Sequence, residues 1–279
     1  MMVMRPPSPP GGGGGSVLFE ANPADSTLFG FDDEISLSYG DYCVRDYLAA
    51  GGHAGGGAFR WTPTVANSAF IVAHSNVTQW YNGFQSPSYT SPTQGNRIVY
   101  RCYFKGALVN PDVWQNASST VVVDDGFEVK WVICGENAGA DNARHIIFLG
   151  NNGADFAVRV MRNVDGPDYA TLRATIPDDS QFHALQVVIQ SGSTFNATDG
   201  YYRVYVDNDI EGSPDASKTG IEINVAASGQ PGTWTNVGFP GFWDNTLADE
   251  GQSPLPSMNY VISAFEVGTA FDASWAASL

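Results

Sequence analysis

The chain has 279 residues, 43% apolar and 15% charged, with 13 Lys and Arg against 29 Asp and Glu, a formal net charge of −16. The apolar content supplies a sizeable core, and disorder outside a terminal tail is excluded as the general state. The acidic balance excludes nucleic-acid backbones and anionic membranes as expected partners, and no run approaches the roughly 18 apolar residues of a membrane helix.

The N-terminus, MMVMRPPSPPGGGGGS, stands apart in composition. Pro6, Pro7, Pro9 and Pro10 favour polyproline II, and Gly11 to Gly15 is freely jointed. We divide the chain into a Pro/Gly-rich arm over residues 1–16 and a single domain over 17–279. The arm is either a floppy tail or a strap held by a partner subunit, since ordering such a run costs about 1–2 kcal/mol per residue. It contains no apolar core of the kind a secretory leader needs, so synthesis in the cytoplasm without export is expected. The sequons at Asn76, Asn116 and Asn196 then carry no glycan. Cys43, Cys102 and Cys134 are too few and too widely spaced for a disulfide framework or a zinc site. Cys102 and Cys134 lie in apolar runs and are read as buried thiols.

Along the chain, Val17 to Glu20 suits a first strand, and Ala69 to His74 a short apolar one. Residues 30–62 are rich in Gly and Tyr, with GGHAGGG a loop, and residues 75–96 are loop-like. From residue 97 the pattern alternates with period two. In RIVYRCYFK, Ile98, Tyr100, Cys102 and Phe104 share one face, and Arg97, Val99, Arg101, Tyr103 and Lys105 the other. Residues 127–134 place Val129, Trp131 and Ile133 opposite Glu128, Lys130 and Val132. Further strands are expected over 145–149, 155–161, 169–176, 182–190, 201–207, 221–225 and 260–267, separated by turn clusters such as GNNG and NVDGPD. About ten to fourteen short strands without a helix define an all-β, two-sheet antiparallel β-sandwich.

The segment DDSQFHALQVVIQSGSTFNATDGYYRVYVDND resembles the hairpin of the concanavalin A-like lectin/glucanase superfamily. Phe182 and His183 match the aromatic-His pair that opens a strand there, and Tyr205, Val206 and Asp207 match the strand end, with Asn208 where Gly is usual. YVISAFEVG is similar to the superfamily's closing strand, and RIVYRCYFKG with FEVKWVICG to its polysaccharide-lyase-like branch. The resemblance spans roughly residues 95–270 and implies a jelly roll, as found in lectins, glucanases and lyases.

A retaining glucanase needs paired carboxylates across one groove, and no ExDxE or ExDxxE pattern occurs. A lyase of acidic polymers needs cations for the substrate carboxylate and a His or Tyr to move a proton. Arg97, Arg101, Tyr103 and Lys105, with Lys130, Arg159, Arg173 and Arg203 on other strands, supply such residue types. The same arginines also suit cross-strand pairing with acids. Gln181-Phe182-His183 spells QxH, but at the hairpin position where the resemblance implies a structural histidine. Asp207, Asp209 and Glu211 place hard oxygen donors at alternate positions, which suits either calcium or a solvated turn. Trp234 and Trp243, in PGTWTNVGFPGFWDN, suit stacking on a sugar or partner, or plugging one end of the sandwich.

Two functions remain. The first is a non-catalytic structural or recognition protein, best matched by a virion surface component of capsid-decoration or fibre type, held by its arm in an oligomeric assembly. The second is a polysaccharide lyase or lectin-like binder of an anionic polysaccharide. Candidate contacts are Arg97, Arg101, Tyr103, Lys105, Lys130, Trp234 and Trp243, with the arm prolines, Gly11 and Gly15 for assembly. No catalytic residue and no cofactor is assigned.

Overall fold

The computed structural model describes residues 15–21, 33–36, 43–63, 82–85, 93–108, 128–135, 144–151, 155–163, 171–224, 238–239 and 258–279. The arm as far as Gly14, the expected strand over 69–74, Trp234 and Trp243 lie outside them.

The first strands are β1 (Val17–Glu20), β2 (Asp33–Ser36), β3 (Cys43–Leu48), β4 (Ala58–Pro63) and β5 (Asn82–Gln85). The long central ones follow as β6 (Arg97–Leu108), β7 (Glu128–Gly135), β8 (Arg144–Asn151), β9 (Phe156–Asn163) and β10 (Thr171–Ile176). The chain ends with β11 (His183–Gln190), β12 (Gly200–Val206), β13 (Ala216–Ile221), β14 (Gly238–Phe239), β15 (Met258–Gly268) and a one-turn helix α1 (Ser274–Ala277). They form two antiparallel sheets. One has eight strands in the order β13-β12-β11-β6-β15-β4-β3, with β1 on β15, and the other seven in the order β10-β9-β8-β7-β14-β5-β2. The expected all-β sandwich is what the chain forms.

Between the sheets lie alternate residues of each strand, as the pleat requires. Ile98, Tyr100, Cys102 and Phe104 of β6 are buried there. They sit in register with Ile189, Val187, Leu185 and His183 of β11. From the facing sheet come Phe156, Val158, Val160, Leu172, Ala174 and Ile176, all buried. Phe104 meets Phe156 edge-on with ring centroids 5.3 Å apart. Each such side chain stabilises the fold by about 1.5–3 kcal/mol through burial. The Cys102 thiol is free and buried, and burial pushes its pKa well up, so it behaves as a small apolar group.

Three strand expectations need correction. The strand expected over 221–225 begins earlier, as Ala216–Ile221, because its exposed polar residues hydrogen-bond to β12 although they show no alternation. The stretches 30–62 and 75–96 contain β2 to β5, which are short antiparallel strands. On β7 one alternation does not hold throughout. The register shifts between Lys130, opposite Phe148, and Val132, opposite Ile147, so a bulge at Trp131 separates two phases.

Gly106 sits where a Cβ would overlap the Phe156 ring. Gly106→Ala is therefore expected to lower stability by about 1–3 kcal/mol through overpacking, read as a reduced urea midpoint with an unchanged slope.

Candidate functional site

The outer face of the eight-stranded sheet carries most of the residues singled out from the sequence. It is covered by the last eleven residues, 269–279, which run back across β6 and β11. Phe271 packs on Val99, Val188 and Tyr205. Trp275 stacks on Tyr103 with centroids 4.7 Å apart, and His53 stacks on the same tyrosine at 4.1 Å. Buried Gln186 grips the segment's backbone at both ends of its amide: Nε2 donates to the Asp272 carbonyl (2.8 Å), and Oε1 accepts from the Asp272 N–H (3.1 Å).

Arg101 lies beneath this cover, 6% exposed. It forms an ion pair with Glu266, donates from Nη1 to the Ala270 carbonyl (2.8 Å), and holds its guanidinium 5.6 Å from the Trp275 ring centroid. Glu266 comes opposite Arg101 because β15 takes an extra residue between Ser263 and Glu266, with Ala264 in the left-handed region at φ 56°. Burial pushes the Glu266 carboxyl up, against the pull of Arg101. Tyr103 is 2% exposed and shares a hydrogen bond with the Ser278 hydroxyl, and burial raises its pKa. Arg101 and Tyr103 are thus paired and roofed, which removes the middle of the expected cationic face from solvent.

The ends of that face stay accessible. Lys105 is half-buried, with its ammonium 4.9 Å from the Phe182 ring centroid. Arg97 pairs with Glu211 and donates from Nε to the Thr269 carbonyl (3.3 Å). It lines an open depression of about 400 Å³ with Gly95, Asn96, Gln190 and Thr269. Tyr201 stands in the same cross-strand row as Arg97 and Gln190, and the Arg203 guanidinium lies 4.4 Å from its ring centroid. Lys130 falls on the other sheet.

His183 occupies the hairpin, 5% exposed. Its Nδ1 is 2.6 Å from Asp207 Oδ2, and its Nε2 is 3.0 Å from Asp179 Oδ1. Asp207 also accepts the Ala184 N–H (2.7 Å) and returns its own N–H to the Ala184 carbonyl (2.9 Å), from a left-handed φ of 54°. The hydrogen bond to Asp207, aided by Asp179, raises the His183 pKa against the effect of burial. The Gln181 N–H and His183 hold Asp179 below the usual carboxylate range. With a carboxylate on each ring nitrogen, this imidazole has no lone pair left for a substrate proton. It ties β11 to β12 instead, which accounts for the pairing of Phe-His with Tyr-Val-Asp in the sequence.

Three of the oxygen donors near residue 209 are similarly engaged. Asp207 serves His183, Glu211 serves Arg97, and Asp215 accepts the Val206 N–H (2.8 Å). Among the described residues no three His, Cys, Asp or Glu side chains are grouped to hold a metal ion. Residues that the sequence did not single out, Gln186, Asp179, Glu266 and Trp275, turn out to organise this face. Only Asp179 carried a signal, four positions before the hairpin histidine.

No family model matches the chain, and no curated protein matches it. Solved structures similar to it include the Emp46p carbohydrate recognition domain in metal-free form, at 9% identity and TM-score 0.37, covering 89% of this chain and 98% of that one. A Bacillus licheniformis β-glucanase aligns at 10% identity and TM-score 0.38, covering 92% and 99%. A glycosyl hydrolase family protein from Mycobacterium fortuitum aligns at 11% and 0.37, covering 90% and 99%. The overlays are loose, and no residue role is carried across from them.

Two measurements probe this face. Trp275→Ala should cost about 3–5 kcal/mol, since it empties the space over Tyr103 and Ala184. The His183 contribution is complete below pH 6.5, its ordinary pKa, and is lost as pH rises through the raised folded value. Asp207→Ala should therefore flatten the loss of stability as pH rises above 6.5. It should also cost about 1–2 kcal/mol, a figure reduced for the partial exposure of Asp207.

Proposed function

We propose that the chain is a non-catalytic β-sandwich that recognises a glycan. One observation carries the first half of this reading. The strand residues that would serve an acid–base mechanism are used to hold the fold: Arg101 with Glu266, Tyr103 under Trp275, and His183 between two aspartates. A proton-transfer group needs a free lone pair or proton at a substrate-accessible position, and these three are closed off. The glycan half rests on the sequence resemblance and on the aromatic residues of the 231–245 segment, whose rings suit stacking against sugar faces.

A narrower reading, a virion surface component anchored by its arm, has one supporting observation. The chain is clamped where the arm meets the body. The Ser16 N–H donates to Thr269 Oγ1 (2.9 Å), the Thr269 N–H donates to the Ser16 carbonyl (3.1 Å), and Val17 opens the pairing of β1 with β15. A strap emerging at Gly15 would therefore leave from a fixed point next to the C-terminal cover. Light scattering on the full chain and on one beginning at Gly15 tests it. An oligomer that dissociates without the first fourteen residues supports anchoring, and the same mass for both removes it.

The main reading is tested by incubating the full chain with neutral and uronic-acid polysaccharides. We expect retention on at least one immobilised glycan, with neither new reducing ends nor ultraviolet-absorbing unsaturated ends. Turnover lost on Tyr103→Phe would establish a lyase instead.

A further inference from the structure

At one end of the eight-stranded sheet, four strands place polar residues in a single register row. Arg97 on β6 is opposite Gln190 on β11, Gln190 is opposite Tyr201 on β12, and Tyr201 is opposite Thr219 on β13. Burial settles which face this is. Their neighbours Ile98, Ile189 and Tyr202 are fully buried between the sheets, so alternation turns the row outward. The open depression of about 400 Å³ is lined by Arg97 and Gln190 of this row and by Gly95, Asn96 and Thr269.

Its walls are held by the protein itself. Ser191, 2% exposed, donates from Oγ to the Asn96 carbonyl (2.7 Å) and accepts the Gly95 N–H (3.0 Å). The Ser191 N–H reaches the same Asn96 carbonyl (3.1 Å). Gln190 Nε2 donates to the Gly95 carbonyl (2.8 Å), and Gly95 takes a left-handed φ of 87° that suits glycine. Thr269 is tied to Ser16 by its backbone and its hydroxyl. Glu211, whose carbonyl accepts from the Tyr205 hydroxyl (2.7 Å), holds Arg97 in an ion pair. These polar groups are fixed before a ligand arrives, which lowers the ordering cost of binding.

The hydrogen-bonding capacity that remains defines the ligand. Gln190 Nε2 is engaged with the Gly95 and Ser191 carbonyls, and among the described residues its Oε1 accepts no hydrogen bond. Glu211 uses one carboxylate oxygen on Arg97, and its side chain is 44% exposed. Arg97 gives Nη1 to Glu211 and Nε to Thr269, and a guanidinium carries five N–H donors. The charges of Arg97 and Glu211 cancel, so a carboxylate ligand meets Glu211 and an ammonium meets Arg97. A hydroxyl both donates and accepts, and adjacent hydroxyls therefore satisfy both signs at once.

We propose that the depression beside Arg97 is a subsite for one sugar residue of a neutral glycan, with Arg97, Gln190 and Glu211 meeting its adjacent hydroxyls. The proposal rests on the glycan-recognition reading and names its ligand class. A volume of about 400 Å³ lies at the lower end of the range for small-molecule sites, which suits a single ring.

Affinity electrophoresis of the full chain tests this, in gels containing laminarin, dextran or mannan as neutral polymers and polygalacturonate as an acidic one. At least one neutral polymer should retard the wild-type chain, and the retardation should survive added salt, since screening weakens only attraction between charges. Glu211→Gln should weaken it about tenfold, the loss of a charged acceptor. Asn96→Tyr, at an exposed position, should abolish it by filling the depression, and decides alone if Glu211→Gln melts early. Exposed Thr175→Ala on the other sheet should leave it unchanged. Undiminished retardation of a folded Asn96→Tyr chain, or binding confined to polygalacturonate, overturns the subsite and leaves glycan recognition standing. A wild-type chain retarded by no polymer overturns both.

Discussion

The arrangement turns on the buried pair of Arg101 and Glu266 beneath the C-terminal segment. A guanidinium at 6% exposure needs its charge matched, and here both Nη atoms are engaged while the buried Nε has no hydrogen-bond partner. Glu266 supplies the charge, Ala270 a carbonyl and Trp275 an aromatic face. All three depend on the bulge at Ala264 and on the turn after Gly268, so β15 and the terminal residues form one unit with β6. Through Gln186 and Asp272 the same unit locks onto β11. A face that could have been a groove becomes a second, smaller core.

This has a functional corollary. Sandwiches bind along the faces and ends of their sheets, and each face is either solvent-exposed or covered. Here the C-terminal segment covers the centre of one sheet's outer face and leaves the depression beside Arg97 at its margin. Arg173 and Thr175, by contrast, are exposed on the other sheet. Arg101 on β6 acts structurally, with Arg97 and Lys105 half-buried at the ends of its row, while Lys130, Arg159 and Arg173 share a register row on β7, β9 and β10. Each strand taken alone would suggest the same role for both sets.

Much of the architecture was legible. Strands with buried inner faces, such as β6, β11 and β12, must alternate, because a one-residue slip would expose the core set. Their positions were read correctly, and on β6 the two faces as well, while His183, expected to be structural, is held between Asp207 and Asp179. The strands that escaped notice, β2 to β5 and β13, are only four to six residues long, and β13 is exposed along most of its length, so its residues carry no alternation. The β7 bulge escaped because an inserted residue changes phase without leaving a compositional mark.

The sequence by itself determined an all-β sandwich, its hairpin and the lack of a paired-carboxylate motif. These follow from local periodicity and from residue types present or absent. It did not determine which cations meet solvent. That is a matter of register and of what covers each face, and both arise from contacts between residues far apart in the chain, Arg101 with Glu266 or Arg159 with Arg173 among them. Tertiary structure alone decided that one cationic strand lies under the chain's own end while another set of cations forms a line.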